Sequence, residues 1–112
     1  MNPNNYASLE ASKRLHDAGI VLKTEAYWIR VANSPMMLVD NRHGADEHYP
    51  APSMAEVWRE LPEHSTIRKY NKEYWVWIAD GTGASGVYRK INPTDALIDL
   101  LIWVRKEQKG KE

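Results

Sequence analysis

The sequence predicts an α+β fold in which three helices pack an antiparallel sheet of about five strands, a hairpin plus a three-stranded meander, in the order α-β-β-α-β-β-β-α. Three segments place apolar residues at helical spacing between capping residues, and the segments among them alternate or run apolar between turn-forming residues. Length sets the scale. At 112 residues the chain suffices for one hydrophobic core and is too short for two, so a single domain is expected over 1–112, with flexible ends at 1–7 and 107–112.

The first helix runs from about Leu9 to Ala18, with Ser8 as N-cap and Gly19 as the left-handed residue that ends it. Ala11, Leu15 and Ala18 form a thin apolar stripe, and Glu10 and Arg14 are spaced for an exposed i,i+4 pair. Tyr27 to Ala32 and Met36 to Asp40 then read as a hairpin around Asn33, Ser34 and Pro35. Asp40 to Ala51 is polar, holds Gly44 and Pro50, and reads as a loop.

The second helix carries the capping-box spacing in Ser53 and Glu56, with Met54, Val57, Trp58 and Leu61 as its apolar face and Pro62 as its stop. The meander follows as Ser65 to Tyr70, Glu73 to Ala79 and Ser85 to Ile91, its first turn being Asn71-Lys72 and its second the glycine-rich Asp80 to Ala84. In the middle strand Tyr74, Val76 and Ile78 point one way, and Trp75, Trp77 and Ala79 the other. Both faces are apolar, the pattern of a central strand covered on at least part of each side.

The last helix begins at Asn92 as N-cap and Pro93 at the first helical position and continues to about Lys106, leaving a charged tail. Its apolar residues, from Ala96 through Val104, exceed one stripe, so several sides must be covered by the fold or by a second subunit.

Composition excludes several classes of function. Fifteen basic and 15 acidic side chains balance, so no global field draws in nucleic acid or acidic lipid. The absence of cysteine removes disulfides and thiolate chemistry and fits a reducing compartment. The polar segment Met1 to Ser8 lacks a secretory pattern, and the run Leu100 to Val104 is far below a bilayer span, so a cytoplasmic protein without membrane contact is expected.

The motifs that come nearest to chemistry each depart from it. Asp40, His43, Asp46, Glu47 and His48 gather metal-ligand types, but in a loop with no defined ligand spacing. Asp80-Gly81-Thr82-Gly83-Ala84 follows an apolar strand as in aspartic proteases, yet Gly81 separates the aspartate from the threonine and would displace its carboxylate. Gly83-Ala84-Ser85-Gly86 lacks the second spacer of a nucleophile elbow, and no Lys-Ser or Lys-Thr follows these glycines to make a phosphate loop. No enzyme and no cofactor is expected.

Five Trp and six Tyr with no Phe give every aromatic ring a polar atom to satisfy. Trp28, Trp58, Trp77 and Trp103 fit core positions by local periodicity. Trp75 and Trp77 also share one strand face, Tyr88 is placed to join them from the next strand, and Arg68, Lys69, Lys72, Arg89 and Lys90 add charge. Aromatics interleaved with basic residues are the composition of single-strand nucleic-acid sites. The ordinary reading of such large rings is a core or an interface.

Taken in order, Asn5-Tyr6, Leu15, Ala18-Gly19-Ile20, Tyr27-Trp28, Tyr49-Pro50-Ala51-Pro52-Ser53, Trp58, Leu61-Pro62, Asp95-Ala96 and Leu101-Ile102-Trp103 make the chain similar to a group of short bacteriophage, prophage and gut-bacterial proteins of unknown role. The resemblance implies a phage-derived accessory protein and brings no catalytic residues with it. The functional expectation is a non-catalytic interaction module that binds a protein partner or a second copy of itself through the last helix or the tryptophan face. Single-stranded nucleic acid on the basic, aromatic meander is the alternative.

Overall fold

The computed structural model of the protein describes residues 5–79 and 84–110. The elements follow as α1 (Leu9–Asp17), β1 (Tyr27–Arg30), β2 (Met37–Val39), β3 (Glu47–Pro50), α2 (Met54–Glu60), β4 (Ser65–Tyr70), β5 (Glu73–Ala79), β6 (Ala84–Lys90) and α3 (Pro93–Gly110). The fold is α+β with three helices. Its strands, however, form two separate three-stranded antiparallel sheets, β2-β1-β3 and β4-β5-β6, in place of the one sheet of about five.

The added strand is β3, which lies inside the segment read as a loop. Glu47, His48, Tyr49 and Pro50 offer no β-branched residue, yet they pair with Arg30, Ile29, Trp28 and Tyr27 along the free side of β1. Pro50 is tolerated because it ends an edge strand. The pairing is reinforced by Arg30 and Glu47, whose charged atoms lie 3.6 Å apart, and by Asp46, whose backbone N–H donates to Arg30.

Helix termini follow the sequence closely. The Ser8 hydroxyl accepts from the Ala11 N–H, and α1 closes with Gly19 at φ 74°, its N–H donating to His16 and that of Ile20 to Leu15. That pair of bonds is the Schellman arrangement. At α2 both capping-box bonds form, Ser53 N–H to Glu56 Oε1 at 2.8 Å and Glu56 N–H to Ser53 Oγ at 3.2 Å. Asn92 Oδ1 accepts from Thr94 and Asp95 at the head of α3.

The core centres on α3. Leu97, Ile98, Leu100 and Leu101 are fully buried, with β5 and β6 packed against the helix together with α1 and α2. Its apolar circumference is therefore covered within one chain, so the surplus of apolar residues does not require a second subunit. Val57 supplies the contact from α2, while Trp58, one position further round the helix, is turned outward and 43% exposed. The core position expected for Trp58 is thus corrected: in a helix this short, Met54, Val57 and Leu61 suffice to pack the inward side.

The segment just before α1 is joined to the body of the fold. Ala7 is fully buried, its N–H donates to Pro52, and its carbonyl accepts from Trp28 Nε1 at 2.9 Å. The Ser8 N–H donates to Asp95 Oδ1 at 2.8 Å and Asn92 Nδ2 to the Tyr6 carbonyl at 3.2 Å, so the start of α1 and the start of α3 brace one another. At the other end, α3 continues helical to Gly110, past the Lys106 limit expected.

A partly buried ion cluster joins α1, β6 and α3. Arg14 reaches Asp99 at 2.8 Å and Glu10 at 3.0 Å, and Lys90 approaches Asp99 at 3.9 Å. Burial raises the Asp99 carboxyl above its ordinary value, an effect that Arg14 and Lys90 offset only in part. Burial also raises Tyr88, with Asp99 contributing.

The radius of gyration is 14.7 Å, above the roughly 13 Å usual for about 100 residues, and the principal extents are 50 × 37 × 19 Å. A 19 Å thickness accommodates a sheet and one layer of helices.

Candidate functional site

The register of the meander decides which side chains share a face. Arg68, Trp75 and Arg89 stand opposite one another on β4, β5 and β6, Thr66 stands opposite Trp77, and Tyr70 opposite Glu73. Lys69 pairs with Tyr74, and Tyr88 with Val76. Alternation along each strand then places Tyr74, Val76, Ile78, Ile67, Lys69 and Tyr88 on the inner side, against α3, and Arg68, Tyr70, Trp75, Trp77 and Arg89 on the outer side.

Two of the sequence-derived site residues are thereby separated from the rest. Tyr88 packs against the core, and Lys69 holds its ammonium 5.7 Å above the Tyr74 ring on that same inner side. Neither joins the tryptophan face, because each is one residue out of phase with it. Lys72 sits in the Asn71-Lys72 turn, where both residues take positive φ, 59° and 75°, as a two-residue hairpin requires. It lines a wide depression of about 790 Å³ at the end of the meander with Arg89 and Lys90 and with the carboxylates Glu10, Glu73 and Asp95.

Trp75 and Trp77 are half-buried, and neither belongs to the core cluster that gathers Tyr74, Ile78 and Tyr88 from the same sheet. The core position expected for Trp77 is corrected by this placement, while the half-burial of both rings leaves the outer side of the central strand β5 partly covered. The Trp75 ring is shielded by a residue of the neighbouring strand β6. The Arg89 guanidinium stacks 5.4 Å from the Trp75 ring centre, and Glu73 lies 3.8 Å from Arg89 Nε. Arg68 has no ion pair among the described residues.

Arg68, Tyr70, Trp75 and Trp77 together line an open groove of about 340 Å³. Tyr70, 63% exposed, is the member that sequence reading missed. Its signal was present, two residues from Arg68 on the same strand and therefore on the same face. Val87, also exposed, extends the apolar surface on β6.

A β-bulge shapes this surface. Between the pairs Val76–Tyr88 and Ile78–Ser85, Gly86 and Val87 together oppose Trp77 alone. Gly86 has φ 61° in the bulge, and the indole of Trp103 on α3 lies against it from the inner side. The two tryptophans thus flank one irregularity from opposite faces of the sheet.

Elsewhere, Met54, Ala55, Trp58 and Ile67 line an apolar depression of about 390 Å³. The loop residues with metal-ligand character are engaged separately: Asp46 accepts from the Ala32 N–H at 2.6 Å, and His48 lies 3.2 Å from Arg42. Among the described residues no three His, Asp or Glu side chains converge on a common point. The protease-like residues Asp80 to Gly83 lie outside the described residues. No helix among the described residues is long and apolar enough to cross a membrane. No protein-family model matches the chain, and no curated protein or solved structure matches it.

Proposed function

We propose that this protein is a non-catalytic binding module whose partner docks on the outer face of the meander. The supporting observation is the aromatic groove of Arg68, Tyr70, Trp75 and Trp77 on a sheet side that no helix packs. Large rings left at a solvent-facing surface around an arginine are the usual makings of a recognition site. The resemblance to phage and prophage proteins supplies a setting, an accessory protein that acts by binding, in the cytoplasm of an infected or lysogenic cell.

Self-association through this face is the weaker form of the reading. Three strands about 4.8 Å apart and six or seven residues long present at most roughly 15 by 23 Å, on the order of 350 Å², against roughly 800 Å² per partner in a standard stable interface. A two-fold pair would also bring Arg68 and Arg89 of one copy toward those of the other.

Stability measurement tests the docking face without knowledge of the ligand. Trp75→Ala and Trp77→Ala should each cost less than about 1.5 kcal/mol by denaturant unfolding, against about 3–5 kcal/mol for a core aromatic. Losses of core size at both positions would show that the rings serve packing, and would remove the reading.

A further inference from the structure

We infer that the ligand of the outer meander face is a single-stranded nucleic acid, with bases stacked on Trp75, Trp77 and Tyr70 and phosphates held by Arg68, Arg89 and Lys72. The inference rests on the docking-face reading and names its occupant. Charge and geometry select this class over a protein surface.

The rings are spaced for a polymer of flat units. Trp75 and Trp77 are two residues apart on one strand, about 6.6–7 Å along it, so each can take its own base while the backbone runs extended beside them. Tyr70 continues the row across β4 at the hairpin end. A folded protein partner would need more area than this face offers, whereas a strand of a few nucleotides needs only the groove.

The cations are placed on the same path. Arg68 and Arg89 flank Trp75 from the two neighbouring strands, and the Arg89 guanidinium stacks on its ring. Lys72 sits in the adjoining turn and, with Arg89, lines the wide depression at the end of the meander, which Glu10, Glu73 and Asp95 also line. Glu73 is the one carboxylate among the described residues of this face, and it lies beside Arg89. The protein's overall neutrality is no obstacle to this arrangement, because the positive charge is local to the face.

The test uses fluorescein-labelled oligo-dT and oligo-rU with the full chain, followed by anisotropy and by quenching of tryptophan emission. Binding should weaken with salt, with a log–log slope of about −1.4 to −2.1 for two or three phosphates on a single strand. Trp75→Ala should weaken it about ten- to a hundred-fold, the loss expected of one stacked base, and Arg68→Gln should reduce the slope by about 0.7. Lys69→Gln and Tyr88→Phe, both on the inner side, should leave affinity within about two-fold.

Absence of binding at low salt would overturn the inference, as would binding that Trp75→Ala leaves unchanged. The two levels fail separately. If Trp75→Ala and Trp77→Ala are as costly to stability as core changes, the docking face itself is lost. If they are cheap and the oligonucleotides still fail to bind, the face stands and the nucleic-acid inference alone is overturned. Sedimentation would then identify a second copy by concentration-dependent association that Trp75→Ala abolishes.

Discussion

The indole of Trp103 seats directly on Gly86: a Cβ at that glycine would fall 2.7 Å from the Trp103 Cε3 and 2.9 Å from Cδ2. The contact joins α3 to the bulged strand at the one place where β6 takes a left-handed conformation. Gly86→Ala meets both penalties, a positive φ and an occupied space, and should destabilise by about 2–4 kcal/mol. Trp103→Leu in the same chain should recover part of the loss, since it opens the space but leaves the backbone strained. Denaturant midpoints of the two variants measure this, and a neutral Gly86→Ala would refute the close seat.

The capping box of α2 should behave as a unit. Ser53→Ala removes the acceptor for the Glu56 N–H and should cost about 1 kcal/mol. Glu56→Ala removes the return bond to the Ser53 N–H. A double-mutant cycle should show a smaller loss than the two single changes combined, because each bond orders the other.

The brace between the two helix starts depends on Asp95, whose carboxylate accepts from the Ser8 N–H. Asp95→Ala should cost about 2 kcal/mol and speed hydrogen exchange at the Ser8 amide, whereas Asp95→Asn, which keeps an acceptor, should retain most of the protection. Equal exchange in all three proteins would show that the bond does not hold.

Asp99 gives a pH prediction. Its carboxyl is raised above the ordinary 3.8 mainly by burial, despite Arg14 and Lys90. In the window between that value and the raised one, the folded state binds more protons than the unfolded state. Stability contributed by the protonated group is therefore fully present below about pH 3.8 and is lost as pH rises through the raised value. Relative to Asp99→Asn, the wild-type protein should lose stability as pH climbs across this window. Unfolding free energies of both proteins over the acidic range check the sign, and a wild type that gains on the variant would mean that the two cations outweigh burial.

Much of this architecture was legible in the sequence because its signals are local. Ser8, Gly19, Ser53, Glu56, Asn71 and Asn92 act within a few residues of themselves, and each takes the role its chemistry predicts. The strand β3 was not legible, because Glu47 to Pro50 becomes extended only through pairing with β1, a non-local partner that overrides its composition. The site divides in the same way. Trp75 with Trp77, and Arg68 with Tyr70, follow from period two within a strand. The exclusion of Tyr88 and Lys69 required the register between strands, which a pair of sequences cannot state by themselves.

The central position of α3 sets the order in which the protein can be completed. The helix that supplies Leu97, Ile98, Leu100 and Leu101 to the core is synthesised after both sheets. While α3 is still within the ribosome, the emerged meander exposes Tyr74, Val76 and Ile78 on one side and Trp75 and Trp77 on the other. Its edges β4 and β6 are also unpaired. Completion of the fold therefore waits on the docking of α3, and until then the apolar inner side of the meander lacks its cover.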